Sequence, residues 1–490
     1  MLRVSTYLIV TELGDARSAL ISHGVTGALD KVPLEVGQML LKHRGQPAPT
    51  SLFDTQTLSV LRSRGYVTNQ SASGEREMLQ LIAQRMRTRG LANKVPSIAF
   101  VPTYQCNLRC FYCFQPHKAH AGHGKFAAVL TDEQIADAFS VIDKFAYPGA
   151  LAREVDMLTG AATPRTVSAN PHYDHIGLFG GEPLSRATVA AVRTISVEAA
   201  KRGVSLWAIS NGTELEAHSD LIGLGPGQIH EIQITLDGTA ETHNGRRQGP
   251  RLLSTFDGII DNIRGCLELG VQISVRMNTD AEILPEVERL GRFFAEQKWS
   301  DLPHFSFSCA VVTSPGKQPN PGWPELVQHT TAARSAGIAV HSYEHFARDF
   351  LIHCLTPGSD GLVHRKTANC AAEEGQLMFD CLGEVHGCWE DVGFSDKRIG
   401  TYDSQGLHLD APRVAEWFGR HPGALDACSD CPYALIHTSG CAAQAREAAG
   451  TILQNDCAGF QAYFPPSLAH AYQQFEDQMM NASPKETVDA

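Results

Sequence analysis

From Pro96 onward, short apolar runs alternate with longer stretches whose apolar residues recur every three to four positions. That pattern predicts strands joined by amphipathic helices, the βα arrangement of a parallel sheet. Strands are expected at 97–101, 176–179, 205–209, 231–236, 272–277 and 304–308, with helices at 132–145, 185–203 and 254–269. In such α/β folds the chemistry gathers at the carboxyl ends of the strands. The first 95 residues contain no cysteine and read as a separate α+β module. It has a strand at 7–10, a helix at 51–65 ending in Gly65, a short strand at 66–67 and a charged helix at 75–89. Two readings fit it: a winged-helix-like unit that grips an extended peptide by adding a strand, or a helical lid over one side of the sheet domain.

The stretch 147–175, rich in Pro, Ala and Thr, reads as one long loop. His172 and His175 close it, with His117, His120 and His123 upstream; a metal site is the sharper reading and solvated histidines the plainer one. Residues 316–369 are expected to form bridging helices, and 466–490 a helix followed by a polar tail.

Length and composition narrow the class. At 490 residues, 43% hydrophobic and 19% charged, the chain has material for two or three packed units. A net charge of −12 argues against nucleic acid or an anionic membrane as partner. The amino terminus lacks a signal-peptide apolar core, and no apolar run reaches spanning length, so a cytoplasmic protein is expected. Thirteen cysteines are too few for a disulfide scaffold of this size, and their clustering points to metal sites in a reducing compartment.

Three of those cysteines decide the chemistry. Cys106, Cys110 and Cys113 have the spacing C-x3-C-x2-C, with Tyr112 before the third. Three thiolates on one short loop can hold three irons of a four-iron cluster and leave the fourth open. The alternative is a chance grouping of buried thiols. The spacing and the aromatic residue resemble the radical S-adenosylmethionine (SAM) enzymes. That resemblance implies a partial (β/α)6 TIM-like barrel over 96–315 and a [4Fe-4S] cluster fed by a donor such as flavodoxin or ferredoxin. It also implies reductive cleavage of SAM to a 5′-deoxyadenosyl radical that takes a hydrogen atom from substrate.

The loops after successive strands extend the likeness. Gly180, Gly181, Glu182 and Pro183 resemble the family segment that holds the SAM amino group, with Glu182 as acceptor. Ser210 and Asn211 are similar to its polar ribose and methionyl segment, although an Asn-Gly turn alone reads the same way. Asp237, followed by His243 and Arg247, resembles the stretch after strand four, and the resemblance gives Arg247 the methionyl carboxylate. Arg276 and Asn278 close strand five toward the same mouth, which makes Arg276 a further candidate for cofactor binding.

The carboxyl-terminal cysteines resemble the SPASM extension of peptide-modifying radical SAM enzymes, over 370–465. Cys370, Gly383 and Cys388 give C-x12-G-x4-C, and Cys428, Cys431, Cys441 and Cys457 follow. His437 stands where the pattern has a cysteine. The resemblance implies two auxiliary [4Fe-4S] clusters, one on Cys370, Cys381, Cys388 and Cys441, the other on Cys428, Cys431, His437 and Cys457. A C-x2-C zinc site is the competing reading. Cys266, Cys309 and Cys354 fall outside these groups as ordinary buried thiols.

The resemblance implies a maturase that forms an oxidative carbon–carbon or thioether crosslink in a ribosomally made precursor peptide. A sulfatase-maturating, formylglycine-generating enzyme is the second reading, although Trp389 follows Cys388 where that branch carries Asp. A non-catalytic iron–sulfur protein is the third. Glu390, Asp391 and Tyr104 are candidates for the general base on position alone.

Overall fold

The computed structural model describes residues 2–115, 122–160, 173, 175–250, 252–313, 322–356 and 365–482. The amino-terminal module has more strand than expected. Strands β1 (Arg3–Val4), β2 (Leu8–Glu12), β3 (Ser18–His23), β4 (Leu29–Pro33) and β5 (Val67–Thr68) form an antiparallel β2–β3–β4 sheet and a β1–β5 pair. Helices Leu34–Lys42, Thr55–Ser63 and Ala72–Asn93 accompany them. Short β3 escapes detection because both of its faces are buried, so its apolar residues do not alternate with polar ones.

Each of the six expected strands is present: β6 (Ser97–Val101), β7 (His175–Leu178), β8 (Ser205–Ser210), β9 (Ile229–Thr235), β10 (Gln272–Thr279) and β11 (Phe305–Val311). They pair in parallel and in chain order. Helices cover the outer face. The one at Asp132–Phe145 starts at a capping box between Thr131 and Gln134 and buries Ile135, Ala138, Phe139 and Ile142.

The sheet does not stop at the barrel strands. β12 (Gln376–Asp380) pairs in parallel with β6, and β13 (Glu384–His386), β14 (Gly400–Asp403) and β15 (Gly406–Leu409) continue it antiparallel. The result is an open ten-stranded sheet from β11 to β15, not a closed barrel. The carboxyl-terminal domain is thereby fused to the barrel by main-chain hydrogen bonds.

Two expectations are corrected. Residues 150–159 of the supposed 147–175 loop form a helix, Ala150–Thr159, with Leu151, Ala152 and Val155 buried. The Phe460–Ala482 helix runs through the expected boundary at 465, carrying Pro465 and Pro466. His123 and His175 are exposed, while His117, His120 and His172 lie outside the described residues. No helix among the described residues is long and apolar enough to cross a membrane.

The amino-terminal module is docked on the cysteine-rich end. Tyr7 donates its hydroxyl to the Ser429 carbonyl at 2.7 Å, and Arg76 pairs with Asp430 at 2.5 Å. Arg87, buried, donates to the carbonyls of Phe418 at 2.9 Å, Trp417 at 3.2 Å and Glu373.

Candidate active site

β6 delivers the cysteine loop at its carboxyl end, and the loop after β7 holds it there. The Gly181 amide donates to Thr103 O at 3.0 Å and the Glu182 amide to Gln105 O at 2.8 Å. A Cβ on Gly181 would stand 2.2 Å from Gln105 O and 2.4 Å from Tyr104 O, so only glycine permits this backbone approach. Gly180 sits at φ +133°, a conformation that favours glycine. The loop's far side is held by Arg109, whose amide donates to Gln248 O at 2.7 Å.

Cys106, Cys110 and Cys113 line one cavity together with Phe179, Asn211 and Arg247. Burial pushes the Cys106 thiol up to about 12 and Cys113 up to about 11. Glu182 is the single carboxylate lining that cavity. Three thiols on one loop are a soft donor set, suited to an iron–sulfur group.

Glu182 is buried and braces two loops. Its carboxylate accepts from Ser210 Oγ at 2.7 Å and from the amides of Asn211 at 2.7 Å and Leu184 at 3.0 Å. Burial nevertheless pushes its pKa up to about 7. Pro183 closes this turn, its carbonyl accepting from Thr188 Oγ1 at 2.7 Å. Asn211 reaches back to the cysteine loop, donating to Asn107 Oδ1 at 2.7 Å.

The segment after β9 forms the opposite wall. Asp237, fully buried, accepts from the Tyr112 hydroxyl and from the Asn278 amide at 3.1 Å. Arg247, also buried, donates to Tyr112, so the aromatic residue of the cysteine motif is clamped between an acid and a base. His243 is structural. Its Nδ1 accepts from the Asp237 amide at 3.2 Å, and burial with Arg247 nearby pushes its pKa down to about 3.

The candidate bases occupy three different settings. Tyr104 is fully buried behind the loop, its hydroxyl donating to Asp380 Oδ2 at 2.5 Å. Asp391 is buried against Arg446 in an ion pair. Glu390 is half-buried, and its carboxylate has no hydrogen bond or ion pair with another described residue. Burial, then the neighbouring Asp391, push its pKa up, while Arg276 opposes them. Its charge contributes to raising both Cys113 and Cys441. Trp389 fills the sheet's inner face beside it, 4.6 Å from the Phe179 ring and 5.8 Å from Trp207. Sequence alone gave no sign of that packing.

The structure gathers the remaining cysteines as two trios. Cys370 and Cys441 push the Cys388 thiol up and Cys441 does the same to Cys370, while Cys431 and Cys457 push up Cys428 and Cys457 pushes up Cys431. Cys381 joins neither. Its thiol is shifted by burial and Asp380, with no cysteine contributing. The hairpin explains this: Cys370 precedes β12 and Cys388 follows β13, at one end, whereas Cys381 sits in the turn at the other. Five residues of strand separate the two ends, roughly 16 Å at ~3.3 Å per residue.

His437 is buried and stacked on Phe460, with ring centroids 4.2 Å apart, and no thiol contributes to its shift. Burial and Arg420 push its pKa down to about 4, which leaves the ring neutral. Sequence reasoning also missed Arg420. Fully buried, it pairs with Glu373 and donates to the carbonyls of Ile452 at 2.6 Å and of Ser439, Gly440 and Gln454, each at 2.9 Å. It thereby ties together the loops that carry Cys441 and Cys457.

No family model matches the chain. A curated relative, the S-adenosylmethionine-dependent nucleotide dehydratase of Psychrobacter lutiphocae, is 25% identical over 217 residues, 43% of this chain. The chain spans 64% of that relative's length, less than two-thirds. Among solved structures, native anSMEcpe with bound AdoMet superimposes with a TM-score of 0.51 at 15% identity, over 79% of this chain and 98% of that one. Streptococcus suis SuiB gives 0.45 at 12% identity, over 93% and 99%. The likeness to anSMEcpe establishes the fold: a mixed α/β protein built on a large, open parallel sheet.

Proposed function

We propose that this chain is a radical SAM enzyme that oxidises a ribosomally made peptide, forming a carbon–carbon or thioether crosslink. One observation carries the reading: two groups of thiols lie toward opposite ends of the same sheet. Cys106, Cys110 and Cys113 lie at the carboxyl ends of the parallel strands, and Cys370 and Cys388 at the amino-terminal end of β12.

A [4Fe-4S] cluster on Cys106, Cys110 and Cys113, with SAM bound, supplies reductive cleavage and a 5′-deoxyadenosyl radical. The chain's own residues prepare the rest. The Gly180–Gly181 backbone packs directly against the Thr103–Gln105 segment and so fixes the cysteine loop that follows it. Ser210 and Asn211 are fixed by Glu182, and Tyr112 by Asp237 and Arg247, so the cofactor meets a rigid wall. Glu390, with no hydrogen-bond or ion-pair partner among the described residues, would accept the substrate proton as a new bond forms. The two carboxyl-terminal groups of cysteines would hold auxiliary clusters, with His437 as a candidate fourth ligand beside Cys428, Cys431 and Cys457, and such clusters would supply one-electron redox capacity. The docked amino-terminal module supplies affinity for the precursor peptide.

Anaerobically reconstituted protein, SAM, a flavodoxin or ferredoxin and candidate precursor peptides should yield 5′-deoxyadenosine and a peptide lighter by two hydrogens. Unchanged peptide mass across all candidates contradicts the peptide reading.

The fold shared with anSMEcpe, an anaerobic sulfatase-maturating enzyme, favours formylglycine formation as the second reading. An aldehyde in the product, trapped by a hydrazide, distinguishes it from a crosslink.

A further inference from the structure

The sheet's inner face divides at β9 and β10. Thr235 lines the thiol cavity, and its register partner Arg276 lines another. This second cavity, of about 380 Å³, lies between the inner faces of β9, β10 and β11 and the segment 341–348. Gln233, Arg276 and Ser308 face Tyr343, His345 and Arg348 across it, and no carboxylate lines it.

Arg276 is the unusual member. It is half-buried, its Nε donates to Asn278 Oδ1 at 3.2 Å, and it forms no ion pair with a described carboxylate. Its neighbours at the mouth have carboxylates within reach: Arg246 pairs with Asp280 at 2.8 Å, and Arg247 lies 4.0 Å from Asp237. A guanidinium presents five donors in a planar fork, and leaving most of them without an anion in a half-buried site is costly. The protein as a whole carries −12, so this local positive lining runs against its general field. The cavity also adjoins the reaction chamber. Arg276 acts on Glu390, and Tyr343 feels both Arg276 and Cys441.

We infer that this cavity is the carboxylate-recognition subsite of the peptide substrate. Arg276 grips the anion in bidentate fashion, Arg348 stands at the exposed rim, and the grip places a neighbouring residue beside Glu390. The inference rests on the peptide reading above and adds what the peptide must carry. The anion is either an Asp or Glu side chain or a terminal carboxylate, and separate probes tell them apart.

Calorimetric titration of the full-length reconstituted protein uses three probes: N-acetylglutamate methylamide, N-acetylalanine and neutral N-acetylglutamine methylamide. One acidic probe should bind about tenfold more tightly than the neutral one, ~1.4 kcal/mol. Preference for the first assigns a side chain, and preference for the second a terminal carboxylate. Arg276→Gln should erase the preference and Arg276→Lys keep part of it. Arg348→Gln, at the exposed rim, should weaken the acidic probe without threatening the fold. Equal binding of all three probes, or a preference that survives Arg276→Gln, overturns the inference. SAM cleavage by the wild type is scored separately. Its absence alongside a clear acidic preference defeats the enzymatic reading and leaves the subsite standing.

Discussion

The barrel thiols and the carboxyl-terminal thiols are organised by opposite means. Cys106, Cys110 and Cys113 lie on one loop, held by main-chain bonds from Gly181, Glu182 and Gln248. The two carboxyl-terminal trios collect residues from 370 to 457 and depend on a buried arginine, a β-hairpin and a docked amino-terminal module. A site built locally is rigid because its neighbours are rigid. A site built from distant segments is only as rigid as the clamps that gather them.

The sharpest way to break the comparison is at Arg420. Arg420→Gln leaves Glu373 buried without its partner and strips donors from four carbonyls, a loss of ~3–5 kcal/mol. Both carboxyl-terminal trios should lose iron, while the barrel trio keeps it. Iron content and the thermal midpoint read this directly.

Gly181→Ala attacks the other side. The new Cβ collides with backbone oxygens at 2.2 and 2.4 Å, costing ~1–3 kcal/mol and displacing the cysteine loop. SAM affinity should fall, with iron in the carboxyl-terminal trios unchanged.

Two cysteine variants sharpen the assignment within the hairpin. Cys388→Ala should cost one cluster, about four irons. Cys381→Ala should cost none, and iron loss from it equal to that of Cys388→Ala would restore Cys381 as a ligand.

A further test concerns pH. His243 is held neutral, with a folded pKa near 3 against an ordinary 6.5. A lowered base binds fewer protons folded than unfolded, so its contribution is complete above 6.5 and is lost progressively as pH falls toward 3. The slope cannot exceed ~1.4 kcal/mol per pH unit from this one group. His243→Gln, which retains an acceptor for the Asp237 amide, should flatten the thermal-midpoint profile across that range.

How much of this the sequence disclosed follows the same division. The barrel strands were legible because each is an apolar run followed by a helix of regular period, and the cysteine loop because its three cysteines share eight residues. The Asp237, His243 and Arg247 segment follows the fourth parallel strand, as its order in the chain suggests. Its inward turn, which spends His243 on the Asp237 amide and Arg247 on Tyr112, has no local signature. Cys381 was misplaced because spacing does not say which end of a hairpin a residue occupies. The seventh parallel strand, β12, was hidden because its partner β6 lies some 280 residues earlier, beyond any local pattern.

Electron paramagnetic resonance of the reduced, reconstituted protein with and without SAM tests the central claim. The account predicts that SAM shifts one cluster signal, and that Cys106→Ala abolishes both that signal and the shift while the auxiliary signals remain. A spectrum indifferent to SAM in the wild type, or zinc in place of iron at Cys106, Cys110 and Cys113, would contradict it.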